Sequence, residues 1–175
     1  NVICSDKTGT LTENKMTVGA FYDTEYHADP TQLTSSWLSH NICLNTTADI
    51  GEGGTFIGNP SECAMLRFYE NSEACRQAQK SYRQERQDHE ILQAFPFSSE
   101  LKHMTTISNV DGRIVTYVKG SPEFVLKMCT LEDAARCRIN DAIIEAEKKA
   151  MRVIAFAHKE LTGMADFSQE PHHQK

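Results

Sequence analysis

Seven residues near the start of the chain, residues 6–12, read DKTGTLT and combine a carboxylate, a cation and three hydroxyl groups. They follow the apolar residues 2–4, a pattern that predicts a buried strand ending in a carboxylate and then a glycine-containing turn. Open α/β sheets place their chemistry at the carboxyl ends of strands. Asp6 at that position can attack a phosphorus atom and become an aspartyl phosphate. The side chains that would hold the transferred phosphoryl group by charge and hydrogen bonds are Lys7, Thr8 and Thr10.

The same run resembles the phosphorylation signature of the P-type ATPases, which are ion pumps, and also that of the haloacid dehalogenases. In phosphatases of the dehalogenase group, an Asp two residues after the nucleophile helps to break down the phospho-enzyme. Thr8 stands at that position and cannot act as a carboxylate acid or base. The resemblance to the pumps implies a longer-lived aspartyl phosphate at Asp6. It also implies Mg²⁺ held by Asp6 and Thr8, with a further acidic motif beyond Lys175.

The composition predicts one soluble domain of ordinary size, because the chain has 175 residues and 39% of them are hydrophobic. No apolar run approaches the ~20 residues that span a bilayer. A net charge of −6 argues against nucleic acid or anionic lipid as a partner. Six cysteines without a C-x-x-C pair or zinc-ligand spacing indicate reduced thiols in a cytosolic compartment.

Periodicity and turn signals predict helices and strands that follow one another along the chain. The predicted strands are residues 15–22, 55–57, 104–110, 113–119 and 151–160, with a hairpin turn at residues 111–112. The predicted helices are residues 30–44, 59–69, 72–90, 121–128 and 139–150. The last helix is expected to pack on the sheet with an amphipathic face. The fold class is therefore α+β, with an antiparallel or mixed twisted sheet flanked by helices.

A second motif, GNPSECAML at residues 58–66, reads as a helix start with Asn59 as N-cap and Pro60 in the first helical position. It resembles the helix-starting motif of the pump family, in which a Glu hydrogen-bonds the adenine amino group. The resemblance assigns that role to Glu62. The alternative is that Glu62 only caps the helix.

A third motif, FPFSSELKHM at residues 95–104, is similar to the adenine-stacking segment of the family. The resemblance implies that Phe97 stacks on the base and that Lys102 lies at the rim of the pocket. The alternative is a core role, which we favour for Phe95 but not for Phe97. Leu101 departs from many relatives, which carry a basic residue there, so one charge contact to the nucleotide is expected to be missing.

Two further segments complete the resemblance. KGSPE at residues 119–123 is similar to the K-G-A-P-E element of the family, which implies that Lys119 lies deep in the nucleotide pocket. Gly120 would let the backbone approach the ligand closely. MRVIAFA at residues 151–157 resembles the last nucleotide-facing strand, where Arg152 would reach phosphate or ribose. The alternative for Arg152 is a surface salt bridge.

The resemblance implies the nucleotide-binding domain of a P-type cation pump, and the motif wording is nearest to the plasma-membrane-type calcium pumps and their bacterial relatives. We expect residues 1–14 to belong to the phosphorylation domain and hinge, 15–162 to form the nucleotide-binding domain, and 163–175 to be a linker or tail. The expected ligands are ATP and Mg²⁺. The expected setting is the cytoplasmic side of a membrane protein, beside the remaining phosphorylation, actuator and transmembrane domains and with Ca²⁺ as the transported cation.

The sequence is also compatible with two other functions. One is a stand-alone phosphatase of the dehalogenase type, which Thr8 argues against. The other is a non-catalytic module that binds a protein through the polar segment 72–90. If the chain is a nucleotide-binding domain, it is expected on its own to bind ATP weakly and not to turn it over.

Overall fold

A computed structural model describes residues 16–162, and the structural statements below concern those residues. The phosphorylation motif with Asp6, Lys7, Thr8 and Thr10 lies outside them. The strands are β1 (Phe21–Tyr22), β2 (Tyr26–His27), β3 (Asp49–Ile50), β4 (Phe56–Ile57), β5 (Glu90–Phe95), β6 (His103–Val110), β7 (Arg113–Gly120) and β8 (Ala155–Leu161). The α-helices are α1 (Ser36–Leu44), α2 (Pro60–Glu70), α3 (Glu73–Ala78), α4 (Tyr82–Asp88), α5 (Pro122–Met128) and α6 (Asp133–Lys148). Two short 3₁₀ helices cover Pro30–Gln32 and Glu52–Gly54.

The main sheet has four strands in the order β5-β6-β7-β8, and every neighbouring pair is antiparallel. β6 and β7 form the predicted hairpin, in which Val110 pairs with Arg113. Asp111 and Gly112 both have positive φ, 50° and 79°, as a two-residue turn of type I′ requires. Together with the surrounding helices, this antiparallel sheet confirms the predicted α+β class.

Helix α1 is fixed to the sheet by buried amide side chains. Asn41 Nδ2 donates to the carbonyl oxygens of Val118 and Ala157 at 3.1 and 3.0 Å. Asn45 Oδ1 accepts a hydrogen bond of 2.9 Å from Thr106 Oγ1. Buried amides with satisfied partners specify one orientation of the helix, because any other orientation would leave them unpaired. The end of β7 is therefore held in a defined position relative to α1.

Several predicted elements differ from the structure. The segment 72–90 is not one surface helix, because Gln79 adopts a left-handed φ of 53° between α3 and α4. Tyr82 and Glu85 of α4 are buried, so part of this segment contributes to the core while the polar side chains of its other face stay exposed. The predicted strand 15–22 is regular only over Phe21–Tyr22.

The other differences concern element ends. The predicted helix 30–44 starts as an α-helix only at Ser36, after the 3₁₀ turn. Strand β5 has no counterpart in the prediction, and β8 begins at Ala155 instead of residue 151. The predicted apolar stripe of α6 is only half-buried, at Ile139, Ala142, Ile143 and Ala146, and no residue of this helix is fully buried. No helix in residues 16–162 combines the length and the apolar character that a membrane crossing needs.

Candidate functional site

Four strand ends meet at one edge of the main sheet. In the strand register, His103 at the start of β6 pairs with Gly120 at the end of β7, which pairs with Ala155 at the start of β8. Strand β5 ends beside them, because Phe95 pairs with Thr105. Five of the six residues predicted to bind nucleotide lie on or next to these ends, namely Phe97, Lys102, Lys119, Gly120 and Arg152.

The sixth residue, Glu62, lies in the first turn of α2. Asn59 Oδ1 accepts a hydrogen bond of 2.9 Å from Ser61 N, and Pro60 occupies the first helical position, so the helix starts as predicted. This start places Glu62 at the third helical position, with only 8% of its surface exposed. Its carboxylate is directed towards Thr47 and Lys119 rather than back to its own helix.

Glu62 and Lys119 form a buried ion pair. Lys119 Nζ donates to Glu62 Oε1 at 2.5 Å, and Lys119 is only 5% exposed. Thr47 donates twice to Glu62 Oε2, from its amide nitrogen at 3.1 Å and from Oγ1 at 2.6 Å. A carboxylate has about four acceptor positions, so these three bonds leave capacity for one more donor. An amino group of a ligand could occupy that position.

The electrostatics of this pair favour an ionised carboxylate. Burial alone would raise the pKa of Glu62, but the Lys119 ammonium and the hydrogen bonds from Lys119 and Thr47 outweigh burial and hold the pKa below its ordinary value of 4.5. Burial lowers the pKa of Lys119, and the charge of Glu62 opposes that effect. The site therefore holds a fixed negative charge beside a desolvated ammonium group.

A pH dependence follows from the lowered pKa of Glu62. The contribution of the Glu62 carboxylate to the unfolding free energy is fully present above pH 4.5, the ordinary pKa. It is lost as the pH falls through the lower pKa of the folded state. We expect the unfolding free energy, measured in urea at pH values from about 6 to 3, to fall less steeply in a Glu62→Gln/Lys119→Met double variant than in the unmodified chain. Equal slopes would show that Glu62 titrates in the folded domain as it does in the unfolded chain.

The segment between β5 and β6 presents Phe97 to solvent. The ring is 58% exposed, which excludes a core role, whereas Phe95 is half-buried. The segment is closed by a hydrogen bond of 2.8 Å from Lys102 N to Ser98 O. Lys102 has a positive φ of 58° and an exposed side chain. An exposed aromatic face with a cation in the same short loop is suited to a planar, electron-rich ring.

The backbone at Gly120 lies very close to a neighbouring segment. A Cβ atom at this position would overlap Lys102 O and lie 2.7 Å from His103 Cα. Gly120 is therefore required for close packing against the backbone of residues 102–103. The ligand contact that the resemblance implies for Gly120 stays a prediction.

This contact predicts that Gly120→Ala lowers the unfolding free energy by about 1–3 kcal/mol, because backbone atoms must shift to relieve the overlap. Gly19→Ala is the matched control, since a Cβ there would meet Met151 Cε at an ordinary 3.6 Å. Urea unfolding of both variants measures the difference. Equal effects of the two substitutions would contradict the assignment.

Arg152 precedes β8 and has an exposed side chain. Its Nη1 donates to Ser61 Oγ at 3.1 Å, next to Glu62 at the start of α2. The guanidinium group therefore lies at the N-terminus of that helix, where its own charge and the positive potential of the helix end favour an anion. Sequence reasoning missed Thr47 and Ser61, whose roles depend on contacts 15 and 91 residues away along the chain.

Comparison with known proteins identifies the class. The family model described as P-type ATPase, cytoplasmic domain N, matches residues 33–175. The chain belongs to this family, and its antiparallel α+β architecture agrees with that assignment.

The curated relatives are cation pumps by name. The chain is 31% identical over 177 residues to calcium-transporting ATPase 1 of Lactococcus lactis, which covers 91% of this chain and 19% of that protein. It is 32% identical over 182 residues to the plasma-membrane-type calcium-transporting ATPase 12 of Arabidopsis thaliana, covering 90% and 17%. It is 30% identical over 212 residues to cation-transporting ATPase pma1 of Synechocystis, covering 98% and 21%. The chain thus spans about a fifth of the length of the curated relatives it matches.

Proposed function

We propose that residues 15–162 bind ATP, with the adenine ring on Phe97 and its amino group at Glu62. The observation that carries this proposal is the buried Glu62–Lys119 pair at the same sheet edge as the exposed Phe97 ring. Phe97 offers a stacking face, Glu62 has one acceptor position left, and Lys119 fixes the carboxylate. Lys102 and Arg152 would receive the ribose or phosphates with their exposed positive charges.

In the complete protein, this domain would carry ATP to Asp6, whose carboxylate would accept the γ-phosphoryl group in an in-line transfer. Lys7, Thr8 and Thr10 would hold the transferred group by charge and hydrogen bonds. Oxygen donors are what Mg²⁺ prefers, so Asp6 and Thr8 fit as two of its ligands, and the ion would neutralise phosphate charge. We assign residues 1–14 to the phosphorylation domain and residues 163–175 to a linker.

The remaining parts of the proposal concern the whole pump. Several relatives are named as calcium-transporting, which supports Ca²⁺ as the cargo. The partners of this domain would be the phosphorylation, actuator and transmembrane domains of the same protein, and its location would be the cytoplasmic side of the membrane. The chain alone would bind nucleotide without turning it over, because Asp6 and Thr8 supply only part of a Mg²⁺ site.

A nuclear magnetic resonance titration of the 175-residue chain with ATP, with and without Mg²⁺, tests the proposal. We expect amide shifts to concentrate around Glu62, Phe97, Lys119 and Arg152, and phosphate release to stay at the level of buffer. Shifts confined to other surfaces, or none at millimolar ATP, would overturn the assignment of the site. ATP hydrolysis that is abolished by Asp6→Asn would show that the chain does turn ATP over. It would leave the proposed binding site in place.

A further inference from the structure

A second cluster of chemically active side chains lies outside the nucleotide site. His40 on α1, Glu85 on α4 and His89 directly after α4 converge against the sheet, and one donor atom of each lies within 4.8 Å of the other two. We propose that these three residues bind a divalent transition-metal ion, with Zn²⁺ as the best match. The cluster shares no residue with the Glu62–Lys119 pair.

The distances between the donor atoms are close to those of a coordination sphere. Glu85 Oε2 lies 3.3 Å from His89 Nε2 and 3.7 Å from His40 Nε2. Tetrahedral zinc with bonds of about 2.0–2.2 Å places neighbouring ligand atoms about 3.3 Å apart. The three side chains therefore need only small rotations to bind one ion, and a water molecule would fill the fourth position.

The surroundings of the cluster orient the three donors. Glu85 and His89 are each 6% exposed, and Tyr69 donates from its hydroxyl group to Glu85 Oε1 at 3.2 Å. The Tyr117 hydroxyl lies 3.5 Å from His40 Nδ1. Such outer contacts fix ring orientation and ligand charge at metal centres. They leave Glu85 Oε2 and the Nε2 atoms of both rings facing one another.

One polar atom of the cluster is left without a partner. His89 Nδ1 is buried and forms no hydrogen bond with any of the residues that the structure describes. Buried polar groups are almost always satisfied, and an exception calls for a ligand, an ion or a water molecule. Nε2 of the same ring faces Glu85 Oε2 at 3.3 Å, so the ring would bind the ion through Nε2, and a water molecule would satisfy Nδ1.

One residue of the cluster reaches the surface. His40 lines a surface pocket of about 250 Å³ together with Trp37, Tyr117 and His158, whereas Glu85 and His89 lie behind it. This pocket would be the route by which an ion reaches the buried donors. The ion would then link α1 to α4, which also contribute Ile42 and Tyr82 to the same hydrophobic core.

The donor set decides which ions fit. Two imidazoles and one carboxylate suit Zn²⁺ and neighbouring transition metals, whereas Ca²⁺ and Mg²⁺ take six or more oxygen ligands. The proposed site is therefore not a site for calcium. It would be a structural or regulatory centre that responds to a different metal.

The test is calorimetric titration of Zn²⁺ into the 175-residue chain carrying Cys137→Ser, His172→Gln and His173→Gln. Cys137 is exposed, and His172-His173 is an adjacent pair in the sequence, so these substitutions remove competing ligands. We expect one equivalent of Zn²⁺ to bind and to raise the thermal midpoint by several degrees, since only the folded state is loaded. Ca²⁺ at the same concentration should have no effect.

Variants of the ligands identify the site. Glu85→Gln and His89→Gln should each lower the affinity for Zn²⁺ at least tenfold, whereas His27→Gln, a change of a histidine outside the cluster, should leave it unchanged. Equal affinities in all three variants, or no saturable binding below millimolar Zn²⁺, would overturn the proposal.

A spectroscopic measurement keeps the test independent of how well the variants fold. Co²⁺ bound to the chain that carries Cys137→Ser, His172→Gln and His173→Gln should show the intense visible bands of a four-coordinate ion. It should show no thiolate charge-transfer band. The weak spectrum of hexa-aqua Co²⁺, or a thiolate band, would show that this cluster is only an ion-paired His–Glu–His contact.

Discussion

Replacement of Lys119 by methionine is expected to lower the free energy of unfolding by about 3–5 kcal/mol, because it leaves the Glu62 carboxylate buried without a counter-charge. Both side chains are almost fully removed from solvent, at 6% and 11% exposure for Lys119 and Glu62. The Coulomb attraction that offsets their desolvation is lost with the ammonium group, whereas the cost of burying the carboxylate remains. Urea unfolding measures the effect directly.

The double variant Lys119→Met/Glu62→Gln is expected to recover more than half of that loss. It removes the unpaired charge, and a glutamine oxygen can still accept the hydrogen bonds from Thr47. An equally large loss in the double variant would mean that Lys119 contributes through packing and not through its charge.

The matched control is Lys127→Met. Lys127 pairs with Glu123 at 3.3 Å, but their side chains are 66% and 70% exposed. An exposed pair of this kind contributes less than about 1 kcal/mol. A Lys119→Met effect no larger than that of Lys127→Met would contradict the buried pair.

The same variants separate the structural role of Lys119 from a role in binding. If Lys119 only holds Glu62 in place, the double variant should regain stability and should bind ATP as weakly as Glu62→Gln does. If Lys119 also contacts the nucleotide, the double variant should bind ATP more weakly than Glu62→Gln measured under conditions where both are folded. Measuring both the ATP affinity and the unfolding free energy of the same variants distinguishes the two outcomes.

Local signals in the sequence predicted the elements that depend on local chemistry. The hairpin follows from Asp111 and Gly112, which tolerate positive φ between two alternating strands. The start of α2 follows from Asn59 and Pro60, whose capping roles involve only the next few residues. Both predictions are confirmed because nothing distant competes with these preferences.

Other elements depend on contacts that a linear pattern does not show. The break between α3 and α4 occurs at Gln79 in a left-handed conformation, for which glutamine has no preference. Strand β5 is an edge strand, so its side chains are at most half-buried and its alternation is weak. The apolar stripe of α6 predicted a packed face, and the structure leaves that face only half-buried, which the periodicity alone does not indicate.

The candidate site also combines features that local sequence motifs predict with features that depend on tertiary contacts. The resemblance of short motifs assigned Glu62 and Lys119 to a nucleotide pocket, but nothing in the sequence indicated that they would pair with each other across 57 residues. At Gly120 the structure adds a close packing against the backbone of residues 102–103 that the motif does not indicate, and the predicted ligand contact stays a prediction. Motifs therefore indicated which residues converge, and tertiary packing determined what each of them touches.

Phe97→Ala is expected to weaken ATP binding about 10- to 100-fold, because stacking of a base on an aromatic ring contributes about 1–3 kcal/mol. The ring is 58% exposed in the structure, so its removal should leave the unfolding free energy within about 0.5 kcal/mol of the unmodified chain. Titration followed by amide shifts, at ATP concentrations that saturate the unmodified chain, should leave the variant far from saturation.

Ile57→Ala is the matched control for this substitution. Ile57 is also an exposed apolar residue, at 58%, and lies on β4, which is not part of the main sheet. It should not change ATP affinity. Phe97→Trp should retain binding and Phe97→Leu should not, because a flat π-face is required and apolar area alone does not replace it. Equal affinities for Phe97→Leu and the unmodified chain would show that the ring contributes only apolar surface, and unchanged binding in Phe97→Ala would remove Phe97 from the site.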